Sequence, residues 1–205
     1  VVETFSWKDL PDAILLSWQA GQESGNSIVD ILSGKVNPSG KLPMTFPVSL
    51  GDHRSTKNFP IDGASSDISL IFNKKEKPLS EQVKNKDYTV YEEGLYIGYR
   101  HFEMEDINVS YPFGYGLSYT NFDYSDIVVK NVNDTINVSL SIKNSGNIAG
   151  REVIQIYSSK LNSLINRPMK ELKDFSKTKL LKSGENVRVQ FNLPVSDLSY
   201  WNEER

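Results

Sequence analysis

The side chains in this sequence that could most readily do chemistry are its carboxylates, since it has 26 Asp and Glu residues and no cysteine. Two carboxylates held across a bound substrate can act as a general acid and as a nucleophile or base. Glu23 follows the first predicted strand, and α/β folds bind ligands at the carboxyl ends of their strands. Glu92 and Glu93 precede a predicted tyrosine-rich strand. For all three we favour a structural role, which for Glu23 would be hydrogen bonding to loop amides or to a helix N-terminus.

Other catalytic patterns are missing from the sequence. The Gly-x-Ser triplets at Ser27, Ser65 and Ser118 lack the closing glycine of a nucleophile elbow. Residues 34–41 have one residue too many between their glycines for a phosphate-binding loop, which favours a helix stop followed by a turn. His53 and His101 are the only histidines, and no helix carries both at a zinc-chelating spacing. We therefore predict no metal site and no cofactor, and a structural role for both histidines.

The aromatic side chains suggest a second chemistry, because Trp and Tyr rings stack on the apolar face of a sugar. The favoured alternative is that they are core or domain-junction residues, since large aromatics dominate packed interfaces. The candidates are Trp7, Trp18, Tyr91, Tyr96, Tyr99, Tyr111 and Tyr115. Glycosylation sequons begin at Asn108, Asn133 and Asn137, and they matter only in a eukaryotic secretory route.

The first 120 residues follow the pattern of the end of an α/β domain. A continuous apolar run at residues 13–16 predicts a buried strand that ends near Trp18. Ser24 could cap the helix that follows, and Gly34 supplies a left-handed stop. Because a parallel sheet is covered on both faces, its other strands should precede Val1. Polar residues 62–87 predict a surface loop within this region.

From residue 121 to 205 the pattern becomes all-β. Val138, Leu140 and Ile142 alternate with polar residues, as do the apolar residues between 187 and 193. Short strands separated by turns indicate an immunoglobulin-like or fibronectin III-like sandwich, which takes about 100 residues and seven strands. The predicted fold class is thus an α/β fragment followed by an all-β sandwich. Since only 85 residues are available, we expect the last strand or strands to be missing.

Charge and hydropathy exclude two classes of partner. Residues 1–120 hold 11 basic and 16 acidic side chains, and residues 121–205 hold 12 and 10. Neither part has the basic stripe that nucleic-acid binding needs. No apolar run approaches the ~20 residues of a membrane-spanning helix.

Several stretches together resemble the C-terminal part of glycoside hydrolase family 3, the β-glucosidase and β-xylosidase type with a fibronectin type III-like domain. One of them contains Asn37-Pro-Ser-Gly-Lys-Leu-Pro-Met-Thr-Phe-Pro47, and another is Tyr91-Glu-Glu-Gly-Leu-Tyr-Ile-Gly-Tyr-Arg100. The stretches are residues 12–23, 37–47, 91–100, 111–120, 144–157 and 167–175. The resemblance covers nearly the whole chain, and it places the junction between the two regions near residue 120.

The resemblance implies a larger parent enzyme in which a (β/α)8 barrel precedes the α/β sandwich domain. The parent would be a retaining exo-β-glycosidase acting on β-linked oligosaccharides or aryl glucosides, with xylosides as the alternative substrates. The family's nucleophilic aspartate lies in the barrel, and its acid/base glutamate lies upstream of Val1. Neither maps onto this sequence, so we predict an inactive chain with no catalytic residue and name no substrate-binding residue. Family members are often secreted or periplasmic.

Two further hypotheses remain open at this stage. The chain could be a non-catalytic module that binds carbohydrate or protein through exposed, coplanar aromatic rings. It could also be an incompletely folded fragment that aggregates through an open sheet edge.

Overall fold

The computed structural model describes residues 3–58 and 91–200, so the predicted loop at 62–87 lies outside the described residues. The helices within these residues are α1 (Ser24–Leu32) and α2 (Tyr99–Met104). The strands are β1 (Phe46–Pro47), β2 (Val109–Tyr111), β3 (Phe122–Val132), β4 (Thr135–Asn144), β5 (Val153–Ser158), β6 (Glu171–Lys177) and β7 (Asn186–Pro194). Short 3₁₀ helices span Leu50–Asp52, Arg54–Asn58 and Val195–Leu198. No helix among the described residues is long and apolar enough to cross a membrane.

Residues beyond 121 form the predicted β-sandwich. One sheet has the antiparallel order β3-β4-β7, and the other pairs β5 with β6. The predicted alternation is confirmed in β4, where Val138, Leu140 and Ile142 point into the core. Ile154, Leu181 and Phe191 complete the buried core cluster. Burial of one face thus decides the register of β4, because a slip of one residue would expose all of its apolar side chains.

The β5–β6 sheet leaves part of the inner face of the three-stranded sheet uncovered. Val129 of β3 lies opposite the buried Val138, so both side chains point to the same face. Val129 is nevertheless 62 % exposed, and Tyr124 on the same strand is 47 % exposed. The described part of the opposing sheet has two strands, which is too narrow to cover β3. That the sandwich lacks a final strand stays a prediction.

The first region contains less regular structure than its sequence predicts. Residues 13–17 are not assigned to a strand, and their side chains are exposed, so the buried strand prediction is wrong for the described chain. A strand buried on both faces needs neighbouring strands, and the residues that the structure describes supply none there. Helix α1 forms as predicted and stops at Gly34, whose φ is 75°. Its N-cap is Glu23 rather than Ser24, which is the first helical residue.

The tyrosine-rich segment is a mixed connection, not a strand. Residues 91–120, here called the strap, contain the six-residue helix α2, which begins after Gly98 with its positive φ of 58°. Strand β2 follows and pairs with β1 through Phe46 and Tyr111. The strap therefore lies against the first region before the chain enters β3.

Candidate functional site

The most densely bonded region outside the sandwich core is the junction between the strap, the loop after α1 and the sandwich. Asn37 lies at its centre. Its amide nitrogen donates to the Ala149 carbonyl at 3.1 Å, which links the loop to the sandwich. Its amide oxygen accepts from the Ser118 hydroxyl at 2.9 Å and from the Tyr119 amide at 2.8 Å. One side chain thus joins three segments that are far apart in sequence.

Backbone pairing brings the strap alongside residues 40–42. The Leu42 amide donates to the Tyr115 carbonyl, and the Gly114 amide donates to the Leu42 carbonyl, both at 2.8 Å. A Cβ on Gly116 would lie 2.2 Å from the Gly40 carbonyl oxygen, a distance that no side chain can occupy. Gly116 is therefore required by the close approach of the two backbones.

Lys41 connects the strap to the sandwich. Its ammonium donates to the Gly116 carbonyl at 2.7 Å and lies 3.5 Å from a carboxylate oxygen of Glu152. The same carboxylate accepts a hydrogen bond from the Tyr124 hydroxyl at 3.2 Å. Burial and, secondarily, the negative charge of Glu152 raise the pKa of Tyr124 well above its ordinary value of 10.0, so the phenol stays a neutral donor.

Helix α2 docks on the β5–β6 sheet through aromatic and charged contacts. The Tyr99 hydroxyl accepts a hydrogen bond from the Leu172 amide at 2.7 Å. The Tyr99 ring lies 4.9 Å from the Phe113 ring and meets the Tyr157 ring edge-on at 6.0 Å. Such pairs add about 0.5–1.5 kcal/mol to the burial of their area. The prediction that Tyr99 is a junction residue agrees with these contacts.

Glu171 is the charged centre of this docking surface. Its carboxylate lies 3.2 Å from Arg167, 3.1 Å from Lys173 and 4.0 Å from Arg100 of α2. Burial alone would raise the pKa of Glu171, but the hydrogen bond from Lys173 and the three positive charges outweigh it and lower the pKa. A general acid needs a raised pKa, so Glu171 is unsuited to donate a proton in catalysis.

We predict that the contribution of Glu171 to stability disappears in acid. Its folded pKa lies below the ordinary 4.5, so the stabilisation is complete above that pH and is lost as the pH falls through the lowered pKa. Glu171→Gln should lower the free energy of unfolding by about 2 kcal/mol at neutral pH, since hydrogen bonds between charged groups of low exposure are lost. The difference from the unmodified chain should shrink below pH 4.5. Urea unfolding across this pH range measures it.

The matched control for this prediction is Glu105→Gln, because Glu105 is an exposed carboxylate that directly follows α2. It should change stability little at any pH. A Glu171→Gln deficit that stays constant from neutral to acid pH would contradict the ion-pair explanation.

The residues singled out from the sequence do not converge on one catalytic centre. Glu23 is exposed and accepts a hydrogen bond from the Asn26 amide. Glu93 is buried, and its Oε2 has no hydrogen-bond partner among the described residues. His53 and His101 each contact Phe102, with ring centroids 5.2 and 5.3 Å apart. No cluster of three or more possible metal ligands occurs within residues 3–58 and 91–200.

Both histidines have packing roles in the structure. The His101 ring nitrogen Nε2 lies 3.0 Å from the Asp52 carbonyl, which can only accept, so Nε2 carries the proton. Burial lowers the pKa of His53, which favours its neutral form. These rings hold α2 against the 3₁₀ helices of the first region.

Many apolar side chains of the first region are exposed. They are Phe5, Trp7, Leu10, Ile14, Leu15, Leu16, Trp18, Val29 and Leu32.

Comparison with known proteins assigns this chain to a family. Residues 1–99 match the glycosyl hydrolase family 3 C-terminal domain, and residues 152–205 match a fibronectin type III-like domain. The chain belongs to glycosyl hydrolase family 3 and corresponds to the C-terminal part of its members. The family 3 domain model thus contains α1 and the Asn37 loop, and the fibronectin-like model contains β5, β6 and β7.

Two curated relatives of this chain are named as β-glucosidases. Thermostable beta-glucosidase B of Acetivibrio thermocellus is 40% identical over 202 residues, a match that covers 97% of this chain and 24% of the relative. A beta-glucosidase of Kluyveromyces marxianus is 38% identical over 202 residues and is covered to 21%. The solved structure of beta-glucosidase 3B from Thermotoga neapolitana in complex with glucose matches with a TM-score of 0.84 and 43% identity, over 98% of this chain and 25% of that one. The family 3 chain described here therefore spans about a quarter of the length of these relatives.

Several junction residues were missed by sequence reasoning. Asn37, Lys41, Glu152 and Glu171 were given no individual role, although all four lie inside stretches that carry the family resemblance. The partners of these residues are distant in sequence, so no local sequence pattern predicts their contacts.

Proposed function

We propose that this chain is the supporting C-terminal segment of a retaining exo-β-glycosidase of the β-glucosidase type. The parent would hydrolyse terminal non-reducing β-D-glucosyl residues from oligosaccharides or aryl glucosides. The observation that carries the proposal is the 40% identity, over 97% of this chain, to a β-glucosidase. In this proposal both catalytic carboxylates lie in the remaining part of the parent, and the retaining mechanism uses them as a close pair.

The contribution of this segment would be structural. The Asn37, Lys41 and Glu171 contacts hold the sandwich against the strap and the first region. The exposed apolar side chains around Leu15 and Trp18 would pack on the rest of the α/β domain. A rigid support of this kind keeps catalytic groups in position, because small misplacements in an active site are costly.

The test compares the isolated chain with the native polypeptide. The 205-residue chain and the polypeptide captured from source cells by an antibody to the sandwich are each weighed by mass spectrometry and assayed with an aryl β-glucoside. We expect no turnover by the isolated chain, and turnover by a native polypeptide much heavier than 23.2 kDa. Turnover by the isolated chain would sink the claim that the chemistry lies elsewhere.

The same assay separates the open alternatives. An aryl β-xyloside in parallel decides between glucosidase and xylosidase activity, and cell fractionation tests the proposed secreted or periplasmic location. An inactive native polypeptide of 23.2 kDa would favour a binding module instead. The described sandwich offers that alternative little support, since its exposed aromatics Tyr124 and Phe175 lie on different sheets and form no shared platform.

A further inference from the structure

A crevice of about 580 Å³ opens at one end of the sandwich, between the loop after β5 and the 3₁₀ helix after β7. Its volume falls in the range of pockets that hold small molecules. Lys160, Arg167 and Tyr200 contribute to its lining, together with the serine residues Ser158 and Ser199. Glu171 lines the crevice as well, so the lining combines two cations and one carboxylate with hydroxyls and an aromatic ring.

Positive charge exceeds negative charge beside this crevice. Glu171 is the one carboxylate that pairs with Arg100, Arg167 and Lys173 among the described residues. The side chains of Arg167 and Lys173 are only 13% and 11% exposed, so water hydrates the surplus charge poorly. One carboxylate does not neutralise three cations, and poorly hydrated positive charge is costly. A second anion at this place would therefore be stabilised.

Two other acidic residues of the described chain, Asp197 and Glu103, form contacts with other groups. The backbone carbonyl of Asp197 accepts a hydrogen bond from the Lys173 ammonium. The carboxylate of Asp197 accepts a hydrogen bond from the Ser196 hydroxyl. Glu103 is paired with Lys170 at 2.8 Å. Neither carboxylate forms an ion pair with Arg167 in the described structure.

Arg167 still has donors to offer. Its Nη2 donates to Glu171 at 3.2 Å and to the Leu198 carbonyl at 2.9 Å. A guanidinium has five N–H donors, and its flat fork fits an oxyanion. The other nitrogens of Arg167 have no acceptor among the described residues. Lys160 is exposed at the crevice and has no ion pair within the described ranges.

We propose that this crevice binds the oxyanion group of a small ligand, through the guanidinium of Arg167 and the ammonium of Lys160. Phosphate, sulfate and carboxylate share the required chemistry, since each accepts charge-assisted hydrogen bonds. The Arg167 guanidinium lies over the ring of Tyr200, 5.3 Å from the ring centroid, and this contact orients it within the crevice. The inference does not depend on the proposed glycosidase function.

Calorimetric titration of the 205-residue chain tests the proposal at constant ionic strength. The probes are inorganic phosphate, glucose 6-phosphate, glucuronate and glucose. We expect saturable binding of at least one anionic probe and none of glucose, and the ranking of the anions identifies the source of the oxyanion. A chain that binds no anion saturably at millimolar concentrations would overturn the proposal.

Three variants locate the site. Arg167→Gln should weaken anion binding about tenfold or more, the loss typical of a hydrogen bond to a charged group. Lys160→Ala should weaken it about threefold, as for an exposed ion pair. Lys130→Ala removes an exposed charge from β3, outside the crevice lining, and should change nothing. If Arg167→Gln fails to fold, Lys160→Ala decides alone, and unchanged affinity in it would overturn the assignment.

Discussion

Gly116→Ala is expected to detach the strap from the loop after α1 and to destabilise the chain by about 3 kcal/mol, the upper range for overpacking. The added Cβ would lie 2.2 Å from the Gly40 carbonyl oxygen and 3.1 Å from a side-chain carbon of Lys41. The first contact involves backbone, so it cannot be relieved by rotating a side chain. The Leu42 amide, which donates to Tyr115, should lose its bond as the backbones separate.

Hydrogen exchange measures this effect at single amides. The amides of Leu42 and Gly114 should lose protection in Gly116→Ala, while the amides of β4 should keep theirs because the sandwich has its own core. The matched control is Gly40→Ala, because a Cβ at Gly40 meets no atom within 4 Å. The control should leave stability within about 0.5 kcal/mol of the unmodified chain. Equal behaviour of the two variants would show that the close approach is not a constraint.

Elements with one buried face were predictable from the sequence. In β4 and β7 the apolar side chains alternate with polar ones, and their burial follows the same alternation. The continuous apolar run at residues 13–16 does not show which face is buried. It predicts a strand only where neighbouring strands lie on both sides of it. Among the described residues it has none.

Elements held by distant contacts were not predictable. Helix α2 has six residues, too few to be stable alone, and it forms where Tyr99 packs on Phe113 and Tyr157. The tyrosine and glycine residues that precede it, from Tyr91 to Gly98, are typical of strands and turns, so the sequence predicts a strand there. No local pattern singles out Asn144 either, since its partners Thr120 and Leu181 are remote in sequence.

Asn144→Ala is expected to cost the sandwich about 3–4 kcal/mol, which corresponds to a fall in Tm of about 15–25 °C for a domain of this size. The side chain is fully buried. Its oxygen accepts from the Thr120 hydroxyl at 2.7 Å and from the Gly146 amide at 3.1 Å. Its nitrogen donates to the Ile148 and Leu181 carbonyls, both at 2.9 Å. Alanine would leave buried polar groups without partners, which is the costly case.

Asn144→Asp keeps the shape of the side chain and changes only its hydrogen-bonding groups, so it tests the hydrogen bonds alone. Aspartate keeps the oxygen that Thr120 needs but places a second oxygen against the carbonyls of Ile148 and Leu181, so it should also destabilise the sandwich at neutral pH. Burial and the facing carbonyls should raise the pKa of this new carboxyl in the folded state. Its protonated form donates, so stability should recover as the pH falls through that raised pKa. Asn192→Ala, at an exposed position of β7, is the matched control and should change stability by less than about 0.5 kcal/mol. Thermal unfolding by circular dichroism at several pH values measures all three variants, and an Asn144→Asp deficit that grows in acid would contradict the donor role of the Asn144 amide.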